Sequence, residues 1–158
     1  MRTWIKEKGK GHLNANKMPL KSVETISVFY KSLPTYNPQF SKGKPYTKLS
    51  CQRNELNKGI YGTMRESGDT INTDGKRYPK TDIYFKSVQR TQHPTQKPID
   101  LMEYLIKTYT NESETVLDNC IGSGSTAIAC INTNRNFIGF ELDKEYCEIA
   151  EQRILTNN

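Results

Sequence analysis

The sequence predicts an α/β fold, and three features of its C-terminal part carry that prediction. Thr115–Asp118 and Phe137–Glu141 are short apolar runs of the kind found in buried strands. Between them, a glycine loop at Gly122–Ser125 opens an apolar helix at Thr126–Ile131. A strand, a glycine turn, a helix and a second strand in this order form the βαβ unit that binds nucleotides.

Two further helices are predicted around this unit. Pro98 can begin a helix because its missing N–H is not needed there, and apolar residues follow it at helical spacing. They are Ile99, Met102, Leu105, Ile106 and Tyr109. Asp143 is a suitable N-cap for a last helix. The inner face of that helix would carry Tyr146, Ile149, Ala150 and Ile154.

The first half of the chain is less regular. Thr3–Lys6, Glu24–Tyr30 and Thr81–Lys86 are rich in β-branched and aromatic residues and predict strands, with a polar bend at Gly9–Lys17. Residues 33–81 contain four prolines, five glycines and no sustained apolar period, so short strands at most are expected there. A stretch of this length in a compact domain suggests that it binds a partner.

Length and composition limit the possible classes of protein. The chain has 158 residues, 34% of them hydrophobic, and a mean hydropathy of -0.77, which predicts one domain with a modest core. Its longest apolar run is Ala127–Ile131, so neither a membrane span nor a signal peptide is expected and the predicted location is the cytoplasm. The spacing of the cysteines matches no zinc site and no disulfide framework. Cys51, Cys120, Cys130 and Cys147 are therefore expected to be thiols, mostly buried, with no metal.

Charge divides the chain at Lys97. Residues 1–97 hold 19 lysines and arginines against 7 acidic residues, whereas residues 98–158 hold 4 against 10. A basic region with interspersed aromatic residues suits a phosphate backbone and exposed bases. A basic surface that is merely solvated is the alternative.

Two acidic residues indicate which nucleotide the βαβ unit binds. Asp118 ends the first strand, where a carboxylate repels a pyrophosphate but attracts an amino group, and Glu141 stands 19 positions after Gly122, where it can accept ribose hydroxyls. S-adenosylmethionine carries an amino group and a ribose but no phosphate, so it fits both acids better than a dinucleotide does. A nicotinamide-dependent oxidoreductase would also need a second half, for which the 17 residues after Glu141 leave no room. A glycine-tightened turn without a ligand is the other alternative.

Several blocks of the sequence closely resemble the DNA amino-methyltransferases of the circularly ordered β group, adenine-N6 type. In the C-terminal half these blocks are residues 93–98, 116–126 and 137–143, and upstream they are residues 4–8, 14–17, 28–31, 34–38 and 75–79. The resemblance implies a Rossmann-like S-adenosylmethionine-dependent methyltransferase fold with an irregular target-recognition insertion. In that group the catalytic region comes first and the cofactor region last.

The resemblance assigns roles to residues of this chain. Thr95 and Lys97 would hold the methionine carboxylate of the cofactor, Asp118 its amino group and Glu141 the ribose. The glycine loop and its surroundings would complete the site: Cys120, Gly122, Ser123, Gly124, Ser125 and Thr126. Where the family commonly has Pro-Phe after the strand aspartate, this chain has Asn119-Cys120, which leaves a smaller apolar wall beside the cofactor.

The family's catalytic signature, Asp/Asn/Ser-Pro-Pro-Tyr/Phe, holds the target amine and stacks on the flipped base. No Pro-Pro occurs in this sequence, and the nearest imitation is Asn37-Pro38-Gln39-Phe40. Asn37, Pro38 and Phe40 are therefore only weak catalytic candidates. The chain is expected to be the C-terminal part of an enzyme, with an incomplete sheet and an unpaired edge beside the cofactor strand.

The main hypothesis is a site-specific DNA adenine-N6 methyltransferase without its catalytic motif, acting on double-stranded DNA. Residues 1–37 would be remnant strands of the catalytic half, residues 38–90 the target-recognition segment and residues 91–158 the cofactor region. The DNA contacts would come from Lys17, Lys42, Lys44, Lys48, Arg53, Lys58 and Arg77. The alternatives are a non-catalytic DNA-binding or subunit-like protein that needs a second polypeptide, and a cytosine-N4 methyltransferase.

Overall fold

The computed structural model describes residues 1–49 and 69–157. Arg53, Lys58 and Cys51 lie outside these residues. The chain divides into two compact units, one formed by Met1–Gln39 with the chain from Lys80 onward, and the other by Phe40–Pro79.

Nine strands and three α-helices occur in the described part of the chain. The strands are β1 (Arg2–Lys10), β2 (Lys21–Ile26), β3 (Ser41–Lys42), β4 (Tyr46–Lys48), β5 (Thr70–Asn72), β6 (Lys76–Arg77), β7 (Asp82–Tyr84), β8 (Thr115–Asp118) and β9 (Asn136–Gly139). The helices are α1 (Ile99–Tyr109), α2 (Ser125–Asn132) and α3 (Lys144–Thr156), with a short 3-10 helix at His12–Asn14.

A three-stranded sheet in the order β2-β1-β7 forms the first part of the larger unit. β1 pairs antiparallel with β2 and parallel with β7. Trp4, Ile83 and Leu101 form the core between this sheet and α1. The indole Nε1 of Trp4 donates to the carbonyl of Phe85 at 2.9 Å, so this buried ring has its polar atom satisfied.

The parallel pair β8-β9 and helix α2 form the second part of the larger unit. Helix α2 is buried through most of its length because it is apolar on nearly every side. Ile106 of α1 packs with Ala129 and Cys130 of α2, so α1 contributes to both cores. Burial raises the pKa of the Cys130 thiol to about 11, which keeps it protonated and unreactive at neutral pH.

One face of the β8-β9 pair is uncovered. Val116 and Phe137 pack toward the helical core, so their neighbours point to the opposite face. On that side, Leu117 is 64% and Ile138 51% exposed, and Phe140 just beyond β9 is 59% exposed. Within the described residues β8 pairs with β9 alone. Parallel strands are usually covered on both faces, so this apolar surface is unusual for a sheet of this type.

The smaller unit contains two short antiparallel pairs, β3-β6 and β4-β5. Aromatic rings and cations hold it together: Phe40 packs edge-on against Tyr78, with ring centroids 4.9 Å apart, and the Arg77 guanidinium lies 4.6 Å from the ring centre of Tyr46. Arg77 also donates to Asn72 Oδ1 at 3.0 Å and to the carbonyl of Lys44.

The structure confirms the predicted helices and corrects several boundaries. The predicted strand at Glu24–Tyr30 is instead β2, Lys21–Ile26, because pairing with β1 ends where Ile26 meets Arg2. β1 extends to Lys10 through the first part of the predicted bend, and β9 ends at Gly139 rather than Glu141.

The expectation that the cysteines are mostly buried is wrong for the described residues. Cys130 is buried, but Cys147 is partly buried and Cys120 is exposed in the loop that follows β8. All three are free thiols.

No helix within residues 1–49 and 69–157 has the length and apolar character needed to span a bilayer. The same residues contain no group of three or more His, Cys, Asp or Glu side chains placed to hold a metal ion.

Candidate functional site

The loop between β8 and α2 is shaped by two glycines with left-handed backbone. Gly122 has φ 53° and Gly124, the N-cap of α2, has φ 79°. Gly124 N–H donates to the carbonyl of Ile121 at 3.0 Å, and Ile121 N–H donates to the carbonyl of Phe140, also at 3.0 Å. These bonds tie the loop to the chain just after β9, so the ends of the two parallel strands meet beside the start of the helix.

Asp118 closes the loop from the strand side. Its Oδ1 accepts from Cys120 N–H at 3.0 Å, and its Oδ2 accepts from the Thr126 hydroxyl at 2.5 Å. Each carboxylate oxygen retains a further lone pair. Asp118 is therefore fixed in orientation while still able to accept a hydrogen bond from a cationic ligand.

Glu141 follows β9 and faces the same loop. Its carboxylate accepts from the backbone N–H groups of Gly122 at 2.9 Å, Leu142 at 2.9 Å and Asp143 at 3.1 Å. The hydrogen bond from Asp143 N–H is the main cause that holds the pKa of Glu141 below its ordinary value, and the hydrogen bonds from Gly122 and Leu142 add to the effect. Glu141 is therefore an oriented carboxylate at the edge of the glycine loop.

These elements enclose one side of a cavity of about 230 Å³. Eight of the ten predicted cofactor residues line it: Thr95, Lys97, Asp118, Cys120, Gly122, Ser123, Ser125 and Thr126. Gly124 and Glu141 lie outside the lining, although Glu141 contacts Gly122. The Ser125 hydroxyl is buried in this wall with no hydrogen-bond partner in the described part of the chain. A buried polar atom left in this way is a position where a polar ligand can be accommodated.

Lys97 is held at the cavity by an ion-pair cluster. Its ammonium lies 2.7 Å from Glu24 Oε2, and the almost fully buried Lys6 pairs with the other oxygen of Glu24. Both ammonium groups lie over the ring of Trp4, at 5.8 Å for Lys97 and 5.1 Å for Lys6. Two cations share one carboxylate here, so the cluster carries a net positive charge beside the cavity and favours an anionic group.

We expect this cluster to make stability depend on acid pH. Burial alone would raise the pKa of Glu24, but the hydrogen bonds and charges of Lys6 and Lys97 outweigh it, and the pKa lies below its ordinary value of 4.5. The unfolded chain then binds the proton first, so stability should fall as the pH drops below roughly 4.5. Urea unfolding from pH 7 to pH 3.5 would measure this slope. The slope should be smaller in Glu24→Gln and unchanged in the control Glu112→Gln; equal slopes for all three proteins would contradict the expectation.

The weak catalytic candidates do not line the cavity. Asn37 N–H donates to the carbonyl of Thr108 at 2.7 Å, and its side-chain amide donates to the carbonyl of Thr110 at 2.9 Å. Asn37 therefore fastens the chain to the end of α1. Pro38 follows it, and Phe40 belongs to the smaller unit.

The predicted DNA contacts fall in different parts of the chain. Lys42, Lys44, Lys48 and Arg77 belong to the smaller unit, whereas Lys17 follows the 3-10 helix of the larger one. The four lysines are exposed, and Arg77, which is partly buried, is engaged in holding its own unit together.

Sequence reasoning missed four contributors to the cavity wall, His93, Gln96, Met102 and Ile121, and also missed Glu24 as the partner of Lys97. His93 and Gln96 lie in the same short segment as Thr95 and Lys97, so proximity in sequence was a usable signal for them. Glu24 lies 73 positions from Lys97, and a single sequence gives no signal for that pairing.

Comparison with known proteins gives clear similarities to bacterial methyltransferases. The chain is 33% identical over 158 residues to the type II methyltransferase M.BglII of Bacillus subtilis, covering 94% of this chain and 40% of that protein. It is 42% identical over 102 residues to M2.DpnII of Streptococcus pneumoniae, covering 62% and 36% of the two proteins. It is 32% identical over 160 residues to M1.MboII of Moraxella bovis, covering 94% and 59%. The chain thus spans less than two thirds of the length of these relatives.

Among solved structures, the M1.HpyAVI–SAM complex matches with a TM-score of 0.56 and 26% identity, covering 96% of this chain and 59% of that one. This similarity confirms the predicted Rossmann-like α/β fold. The sequence also matches the family described as DNA methylase over residues 1–152, which include the glycine loop, both acidic residues and the cavity segment. The chain therefore belongs to the N6_N4_Mtase family of DNA methylases.

Proposed function

We propose that this chain is the S-adenosylmethionine-binding and DNA-binding part of a DNA adenine-N6 methyltransferase. The single observation that carries the proposal is the cavity, where Lys97, the oriented carboxylate of Asp118 and the glycine loop come together, with the Glu141 carboxylate bonded to Gly122 at its edge. Adenine is preferred to cytosine as the target base because the matched sequence blocks resemble the adenine subtype.

The residues of the cavity suit the separate parts of S-adenosylmethionine. Lys97 and Thr95 would bind the carboxylate, and Asp118 would accept hydrogen bonds from the amino group. Ser125 would gain the hydrogen-bond partner that it lacks among the described residues. The volume of about 230 Å³ is below the roughly 300 Å³ at which small-molecule clefts usually begin. The nucleoside end would therefore extend past Gly122 to Glu141. When bound, this cofactor supplies an electrophilic methyl group on its sulfonium.

We expect S-adenosylmethionine, and not NAD, to bind the chain. Calorimetric titration with each compound would measure this. Replacing Glu141 with Ala should weaken binding about tenfold or more, because the variant cannot form the hydrogen bonds that a charged carboxylate makes to the ribose. Glu145→Ala is the matched control. Glu145 is an exposed acidic residue in the first turn of α3, so this substitution removes the same charge without changing the cavity.

Two outcomes would contradict this part of the proposal. Binding of NAD with no response to S-adenosylmethionine would refute the cofactor, and unchanged affinity in Glu141→Ala would remove Glu141 from the site. Because Glu141 also bonds to the backbone of the loop, thermal unfolding of the variant should be recorded with each titration.

The smaller unit is the proposed DNA interface. Lys42, Lys44 and Lys48 are exposed on its short strands and loop, together with the partly exposed ring of Phe40. Cations bind the phosphate backbone, and exposed aromatic faces can stack on bases. These features support a role for residues 38–90 in recognition of the target sequence.

We expect DNA binding to weaken steeply with salt, because each neutralised phosphate releases counterions. Fluorescence anisotropy with a labelled duplex at several salt concentrations would give the slope of log affinity against log salt. The double variant Lys42→Gln/Lys44→Gln should reduce that slope by about 0.9 for each phosphate that is no longer neutralised. The double variant Lys107→Gln/Lys144→Gln, outside the smaller unit, should leave it unchanged. A flat salt response in the wild-type protein would refute an electrostatic interface.

The exposed apolar face of the β8-β9 pair supports a second proposal, that this chain binds another polypeptide. Leu117, Ile138 and Phe140 form an exposed apolar surface on and just beyond the β8-β9 pair. We infer that a polypeptide carrying the catalytic Asp-Pro-Pro-Tyr region covers this face and adds a strand to β8. The same pairing with a second polypeptide would apply if this chain were a non-catalytic subunit.

A further inference from the structure

His93 lines the cavity, although the roles proposed above do not use it. Its ring packs over the glycine loop so closely that a Cβ added to Gly122 would lie 3.3 Å from the ring carbons. The ring also meets Tyr146 of α3 edge to face, with centroids 4.3 Å apart. One side chain thus contacts the glycine loop and the last helix.

The Nδ1 atom of the same ring contacts Thr95. It lies 3.2 Å from the Thr95 backbone nitrogen and 3.1 Å from the Thr95 hydroxyl. A backbone N–H can only donate, so Nδ1 must accept, and the ring proton of the neutral side chain must then reside on Nε2. The backbone of His93 also accepts from Gln96 N–H at 3.1 Å, which closes the turn that carries Thr95.

We propose that His93 is a positioning residue that, through Nδ1, holds Thr95 toward the carboxylate end of the cofactor. This inference rests on the proposed binding of S-adenosylmethionine. With the backbone N–H of Thr95 retained by Nδ1, the Thr95 hydroxyl is available to donate to a carboxylate. The Tyr146 ring packs edge to face against the imidazole and helps to keep it in this orientation.

Two substitutions distinguish the role of the acceptor atom Nδ1 from the role of the aromatic ring. His93→Phe keeps an aromatic ring against Gly122 and Tyr146 but has no acceptor, whereas His93→Asn keeps a side-chain acceptor near the position of Nδ1 but loses the ring. Each protein is titrated with S-adenosylmethionine and with 5′-methylthioadenosine, which has the nucleoside but no amino-acid part. His93→Phe should bind S-adenosylmethionine about tenfold more weakly, the loss expected for one hydrogen bond to the charged end of the ligand. It should bind 5′-methylthioadenosine within about twofold of the wild type, and His93→Asn should recover most of the S-adenosylmethionine affinity.

The results distinguish failure of this inference from failure of the proposed function. If the wild-type chain binds neither compound, the proposed cofactor is wrong. If the wild type binds both and His93→Phe either binds S-adenosylmethionine normally or loses both ligands equally, His93 does not act through Thr95. Nitrogen NMR of histidine-labelled wild-type protein tests the same point without a variant, since an Nδ1 that carries the proton at neutral pH would overturn the inference.

Discussion

Purified alone, the chain is expected to transfer no methyl group from S-adenosylmethionine to DNA. The cavity provides groups to bind a cofactor, but the sequence contains no Pro-Pro pair of the kind that holds the target amine in the family it resembles. Without groups that align the amine with the methyl group, the rate should fall by several orders of magnitude, because positioning alone can supply roughly 7 to 11 kcal/mol of a barrier. The measurement is transfer of labelled methyl from S-adenosylmethionine to an unmethylated duplex.

The control for this experiment is addition of a polypeptide that supplies the Asp-Pro-Pro-Tyr region. We expect methylation to appear in the mixture. We also expect the backbone amides of β8, which contains Leu117, to become protected from hydrogen exchange. Robust methylation by the chain alone would refute the prediction. It would also return Asn37 to consideration, and Asn37→Ala would then have to abolish the activity.

The sequence predicted the cofactor half of the molecule well because its signals are local. Helical spacing after Pro98, the glycine loop and the N-cap Asp143 each depend on residues within a few positions of one another. Asp143 indeed accepts from the backbone N–H of Glu145 at 2.9 Å and of Tyr146 at 3.4 Å. Local patterns of this type predict the observed elements correctly because the tertiary contacts favour the same local structure.

Predictions that depended on distant contacts were less successful. The strand expected at Glu24–Tyr30 lies several residues earlier in the chain, because its ends are set by the register with β1 rather than by its own composition. The pairing of Glu24 with both Lys6 and Lys97 joins three separate segments. A composition rich in β-branched residues identifies a strand but does not identify its partner or where pairing stops.

Replacing Gly75 with Val is expected to separate DNA binding from cofactor binding. Gly75 has φ 69°, and a Cβ at this position would lie 2.1 Å from the carbonyl oxygen of Gly43. The same two residues are joined by a hydrogen bond of 2.8 Å from Gly43 N–H to the Gly75 carbonyl. The segment before β6 must therefore move away from the segment after β3, because a β-branched residue is strained at positive φ and backbone atoms cannot move aside cheaply.

Loss of the contact between Gly43 and Gly75 should disrupt the smaller unit, which contains Lys42, Lys44 and Lys48. We expect affinity for a DNA duplex to fall at least about tenfold, which corresponds to a binding free energy weaker by roughly 1.4 kcal/mol. Affinity for S-adenosylmethionine should stay within about twofold, since none of the described residues of Phe40–Pro79 lines the cavity.

Gly11→Val is the matched control for this experiment. Gly11 has φ 97° but no atom within 4 Å of an added Cβ, so the variant carries the backbone strain without the clash. Anisotropy with labelled DNA and calorimetry with S-adenosylmethionine should show Gly11→Val near the wild type in both assays. If Gly75→Val keeps full DNA affinity, the DNA interface lies outside the smaller unit. If it loses both ligands together, the two binding functions do not separate and the prediction is wrong.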